Sequence, residues 1–221
     1  MPIGATFRGM MGAAGAGSAA TVNYTDSEYQ QRGRTTSPFT HSLNIGTATS
    51  RKVVVLVGTS GGAGATGATV KLDGEAMALI HSSVGGDLNE CRLFQLNTTK
   101  GGTQTIVVQW ASAAGHCSAG VWEVHGAADA VNDTLATGSD PFTGTIDVPA
   151  GGVCIAGGFF SNAQSVIWSA GVTEDYDDFG GQLLGTGASD AFATIQTGMT
   201  ITCTSNGSNN RAALAVSWGP A

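Results

Sequence analysis

Four carboxylates fall within five positions of this sequence. Glu174, Asp175, Asp177 and Asp178 surround Tyr176 in the stretch TEDYDDFG. Oxygen-rich segments of this kind can coordinate calcium, and a bound ion would staple a surface loop. The spacing lacks the ligand ladder of an EF-hand, so a solvated acidic loop is the preferred reading. Calcium held by those four residues is the one cofactor the sequence offers, and no metal site is assigned on it.

Other residues resemble reaction machinery without its context. Gly58-Thr59-Ser60-Gly61-Gly62 fits the G-x-S-x-G nucleophile elbow. That elbow needs a strand, a sharp turn and then a helix, whereas here a glycine-rich loop leads into another β-like segment. The same residues mimic the serine box of trypsin-like proteases, and AAGHC at 113–117 mimics their histidine box. The chain order is reversed and no matching aspartate is evident. Gly62, Gly64 and Gly67 satisfy G-x-G-x-x-G, but the third glycine should open a helix. Instead ATVKL at 68–72 has β character and meets the Asp73-Gly74 turn at once. No catalytic residue is assigned, and the expectation is a protein that is not an enzyme.

Cys91, Cys117, Cys154 and Cys203 are widely spaced, with no C-x-x-C pair. They read as buried free thiols acting as small hydrophobes, with two disulfides in a secreted protein as the alternative. His41 falls on the apolar face of the alternating stretch PFTHSLNI, where a hydrogen-bonded core-edge histidine is preferred over a ligand. Trp110, Trp122, Trp168 and Trp218 all lie in or beside apolar runs and read as core anchors.

The elements that must position these residues are strands. The run RKVVVLVGT at 51–59 is unbroken and apolar, the pattern of a strand buried on both faces. TIVVQW at 105–110 and VCIAGGFF at 153–160 read as its companions. Asp73-Gly74 predicts a two-residue hairpin between 68–72 and 75–81. Further strands are expected at 21–28, 38–45, 90–97, 103–112, 116–124, 142–148, 165–169, 190–197, 200–205 and 211–218. Polar connectors are expected at 30–37 and 126–140. No segment keeps a helical period over ten residues. About a dozen short strands with Gly/Ser/Asn turns mean an all-β fold, a two-sheet antiparallel sandwich or jelly roll. No clean internal repeat is visible. The division expected is a Gly/Ala-rich docking arm at 1–20 and a single sandwich domain at 21–221.

Composition narrows the partners. Only 11% of the 221 residues are charged, and the net charge is −7. The cations are scattered, so there is no basic footprint for nucleic acid. No apolar run reaches the roughly 18 residues a membrane helix needs. A surface so poor in charge suits proteins that pack into assemblies. The 1–20 stretch lacks the continuous apolar core of a signal peptide. It reads as an arm that latches onto a neighbouring subunit.

The order of features is similar to a known module. Phe39-Thr40-His41 precedes Arg51-Lys52-Val53-Val54-Val55, then Val70 and Asp73-Gly74. Leu93-Phe94-Gln95-Leu96 follows, then Lys100-Gly101, Thr103, Thr105, Val107 and Trp110, and finally 213–220. This resembles a β-sandwich module of tailed-bacteriophage virion proteins, over roughly 38–220. Ser50 stands where that module has asparagine, and Phe94 where it has an aromatic pair. The resemblance implies a structural protein in the virion, made in the cytoplasm of a host bacterium. It would be a capsid decoration or cement protein, or part of a head fibre or tail appendage. Its partners would be other virion proteins and itself, as a dimer or trimer. The alternative is a lectin-like host-adhesion module holding glycan on the loops 58–67 or 173–180.

Overall fold

The computed structural model describes residues 18–36, 38–60, 67–85, 89–138, 141–163, 165–181, 183–207 and 210–221. Most of the arm expected at 1–20 lies outside them. Every regular element among the described residues is a strand, and the pairing is antiparallel throughout. The expected all-β antiparallel sandwich is therefore what the chain forms, with four sheets.

β1 (Thr21–Thr35), β9 (Ala114–His125), β3 (Arg51–Ser60), β7 (Asn89–Thr98) and β6 (Ala78–Val84) hydrogen-bond in that order. β2 (Phe39–Asn44), β8 (Thr103–Gln109), β4 (Thr69–Leu72) and β5 (Glu75–Ala76) make a second sheet. β10 (Asp133–Thr137), β17 (Asn210–Trp218), β12 (Gly152–Ser161), β15 (Leu183–Phe192) and β14 (Thr173–Gly180) make a third. β11 (Phe142–Val148), β16 (Gln196–Ser205) and β13 (Val166–Ala170) make the fourth.

Three apolar layers hold these sheets together. Phe39, Val55, Ile106 and Val121 fill the space between the first two sheets. Phe142, Ala156, Phe160 and Ile201 fill that between the last two. Val54, Leu56, Trp122, Ile155, Leu214 and Trp218 join the two five-stranded sheets face to face. This third layer explains why β3 and β12 read as continuous apolar runs. Each is central in its sheet and has a core on both faces, so Val53 to Val57 and Val153 to Phe160 carry no polar side. β8 differs, because it lies in an outer sheet and alternates buried with exposed residues.

Several boundaries differ from those expected, each because pairing overrode local signal. Most of the connector expected at 30–37 is strand: β1 continues to Thr35, held by β9 through two register shifts. The 126–140 connection contains β10, paired with β17. Leu183–Phe192, dense in glycine, is a full strand because its glycines receive side chains from the facing sheet. A Cβ at Gly187 would lie 2.6 Å from the Trp122 ring. The Asp73-Gly74 turn is as expected, with φ of 47° and 84° and Lys71 opposite Ala76, but its second arm is only Glu75–Ala76: from Ala78 the chain crosses to pair with β7 in the first sheet.

The second half repeats the topology of the first. Reading β1 to β9 against β10 to β17, the inner order β1-β9-β3-β7-β6 matches β10-β17-β12-β15-β14. The outer order β2-β8-β4 matches β11-β16-β13. Residues match too. Pro38-Phe39-Thr40 opens one half's second strand, and Pro141-Phe142-Thr143 opens the other's. Asp26 accepts the amides of Ser27 (2.9 Å) and Asn44 (2.8 Å). Asp133 accepts those of Thr134 and Asp147, both at 2.8 Å.

Across the central layer β1 faces β14, β6 faces β10, β9 faces β15 and β7 faces β17. Leu56 of β3 packs over Gly157 of β12, and Phe159 of β12 packs over Gly58 of β3. β3 and β12 thus run the same way. An approximate two-fold axis along the strands, between the inner sheets, relates the halves. The repeat is hidden in the sequence because equivalent positions carry opposite sizes: Leu56 meets a glycine, and Gly58 meets a phenylalanine.

Candidate functional site: the acidic edge strand and the chain-end groove

The stretch TEDYDDFG is not a loop. It is β14, an edge strand paired with β15 and bulged between Glu174 and Tyr176. A strand sends alternate side chains to opposite faces, and this one divides its carboxylates. Asp175 accepts the Trp122 indole N–H at 2.7 Å, on the side of the inner sheet. Asp178 lies on that side too, near Asp26 and Glu28 of β1. Asp177 accepts the Val166 amide at 3.1 Å, on the side of the outer sheet. Among the described residues no group of three or more His, Cys, Asp or Glu is placed to hold a metal ion. The four calcium candidates are thus not brought together as one ligand set. Tyr176 is buried and stacks on Tyr24, with ring centroids 5.4 Å apart. Charges along an edge strand also discourage pairing with another chain.

Burial pushes Glu174, Asp175, Asp177 and Asp178 up from the usual carboxylate range. For Asp178, desolvation outweighs the Ser27 hydrogen bond, and the charges of Asp26, Asp177 and Glu28 add to the rise. A raised folded pKa means the folded state holds more protons than the unfolded one. Stability then falls as pH rises from the unfolded carboxylate value through the folded one. Asp178→Asn is expected to raise the melting temperature at pH 7 while leaving it nearly unchanged at pH 4. Equal shifts at both pH values in a thermal melt would contradict this.

The remaining candidates are structural. His41 is fully buried, and its Nδ1 sits 3.1 Å from Glu28 Oε2. Burial lowers its pKa against the pull of Glu28. The expected hydrogen bond is there. Glu28 also accepts from Gln30 at 3.0 Å, and Gln30 donates in turn to the Thr40 carbonyl at 2.8 Å, which ties β1 to β2. His116, from the protease-like box, lies on β9 with its Nδ1 2.7 Å from the Tyr29 hydroxyl. Gly58 to Ser60 belong to β3, and 61–66 lie outside the described residues. All four cysteines are buried free thiols, and all four tryptophans are buried. Burial pushes the Cys117 thiol up to about 12. In the folded protein at pH 8, a disulfide-exchange reagent is expected to titrate none of the four within minutes, and all four after denaturant is added. Fast reaction in the native state would show that the core opens.

An open groove of about 360 Å³ at the end of the second half left no signal in the residue pattern. Asn132, Asp133, Asp147, Pro149, Ile195 and Gln196 are among its lining. Asp147 Oδ1 accepts the Gly198 amide at 2.6 Å, and Asn132 donates to the Asp147 carbonyl at 2.9 Å. The first and last described segments meet near Pro149. The Ala20 amide donates to the Gly151 carbonyl at 2.8 Å, and Ala127 bridges Pro220. Comparison with protein-family models, curated proteins and solved structures finds no match.

Proposed function

We propose that this chain is a structural protein of a tailed-phage particle that works by binding other proteins and itself. Decoration of the capsid, or a place in a head fibre or tail appendage, fits that role. The observation that carries the reading is how the ionisable side chains are used. Glu28, Glu90, Glu123, Asp26, Asp133 and Asp147 each accept hydrogen bonds from the protein's own backbone or side chains. Such groups fix loops and strand ends. The inner sheets are spent on each other, so the outer sheets and the chain ends are the surfaces offered to partners. The sequence resemblance points the same way. A lectin-like reading keeps Phe179, 48% exposed on β14, as its aromatic contact. Saturable hits on a glycan array, lost in Phe179→Ala, would favour it.

The test is the solution mass of the full chain and of a form lacking residues 1–17, by light scattering. A dimer or trimer that falls to monomer on truncation is the expected result. A monomer in both forms would remove self-assembly through the arm.

A further inference from the structure

The two halves share no sheet. Among the described residues, β1 to β9 make the first two sheets and β10 to β17 the last two. Each half also encloses a core of its own, between its inner and outer sheets. What joins the halves is side-chain contact across the central layer, a few bonds at the chain ends and one connector, 126–132, with the sequence GAADAVN. The connector's residues are exposed or half-buried, and Gly126 at its start has a φ of 65°.

The central layer is specific about what it joins. Glycines on each inner sheet receive large side chains of the other: Trp122 packs over Gly187 and Tyr176 over Gly120, besides the Leu56 and Phe159 pairs. A first half therefore fits a second half better than it fits another first half. Nothing in that fit requires the two halves to belong to one chain. With a second half from another copy, the contacts of the layer are remade. Lys52, Gln95 and Asn97 keep their bonds to Ala128 and Asp129, now those of the other copy's connector. Only the backbone around Gly126 changes course.

We infer that the inner face of the first half is a binding surface for the second half of another copy, and that two chains exchange halves into a closed two-fold dimer. Exchange takes place before the central layer closes, because closure buries both faces. A short connector holds a chain's own halves together at an effective concentration on the order of a millimolar. Copies crowded to that level compete with it. This goes beyond the assembly reading and does not rest on it, since the surface used is the central layer and not the N-terminal arm.

The test pairs two variants of the full chain. Gly58→Phe sets a phenylalanine against Phe159, and Phe159→Gly leaves Gly58 facing a hole, so each alone is expected to be destabilised. When these two chains exchange halves, one layer holds the parent pair and the other the same pair reversed. Refolded together from denaturant at about 1 mM, they are expected to give a dimer with one chain of each kind, read by light scattering and mass spectrometry. It should melt roughly 10 °C above either variant refolded alone. Both changes in one chain should give a folded protein, which shows that the reversed pair fits. If that chain does not fold, Gly58→Ala with Phe159→Ala is read in the same way. Unlike pairs no more frequent than like pairs, in whichever set folds, would overturn the inference. Association through residues 1–17 pairs like chains as readily as unlike ones, so that result would leave the assembly reading standing.

Discussion

Replacing Phe159 by alanine is expected to cost about 3–5 kcal/mol of stability, the usual loss for a fully buried phenylalanine. Phe159 is the knob that fills the space left by Gly58 across the central layer. A Cβ on Gly58 would lie 2.7 Å from the Phe159 ring. Gly58→Ala alone is therefore expected to destabilise by about 1–3 kcal/mol through overpacking. The two changes act on one contact and should not add. In the double variant the alanine at 58 occupies part of the space that Phe159 vacates, so the loss should fall short of the sum by about 0.5–3 kcal/mol. Denaturant melts of the four proteins measure this. Strict additivity would show that the halves do not meet at this pair. The consequence reaches beyond stability. With opposite sizes at equivalent positions, each inner sheet fits the other half better than a second copy of itself, where Phe159 would meet Phe159.

Arg51→Met is expected to cost about 3–5 kcal/mol as well, because it leaves a partly buried carboxylate and three carbonyls without their cation. Glu123 also holds the Thr47 amide at 2.9 Å and the Thr47 hydroxyl at 3.1 Å. Burial alone would raise its pKa. The Thr47 and Asn23 hydrogen bonds and His125 outweigh that and hold it below the ordinary glutamate value. A depressed folded pKa contributes stability that is present above the unfolded value and lost as pH falls through the folded one. Glu123→Gln should therefore flatten the acid limb of the stability profile below about pH 4.3. The raised carboxylates of β14 work in the opposite direction over an adjoining range. If Arg51→Met melts like the parent at pH 7, the clamp is not holding the end of the first sandwich.

The hairpin at Asp73-Gly74, the alternating strand that buries His41 and the doubly buried β3 were legible because each depends on residues close in sequence. Turn chemistry fixes the first, a period of two the second and an unbroken apolar run the third. β14 was misread as a loop because Asp and Glu are depleted in strands. Its place is set by pairing with β15, by Trp122 reaching Asp175 and by Tyr24 stacking on Tyr176. β15 was missed from Leu183 to Ser189 because its glycines carry no pattern of their own; the facing side chains supply the bulk.

What the sequence by itself determined is the class of structure: an all-β chain with four thiols placed as core hydrophobes. The tertiary structure alone decided that the chain is two matching halves, and where the candidate site lies. A period of two identifies a strand and its buried face but not the strand it meets across a layer. Leu56 against Gly157 and Gly58 against Phe159 erase the likeness that a repeat would otherwise leave in the residues. The chain-end groove joins Asn132, Asp147 and Ile195, which are far apart along the chain and share no spacing that local rules could detect.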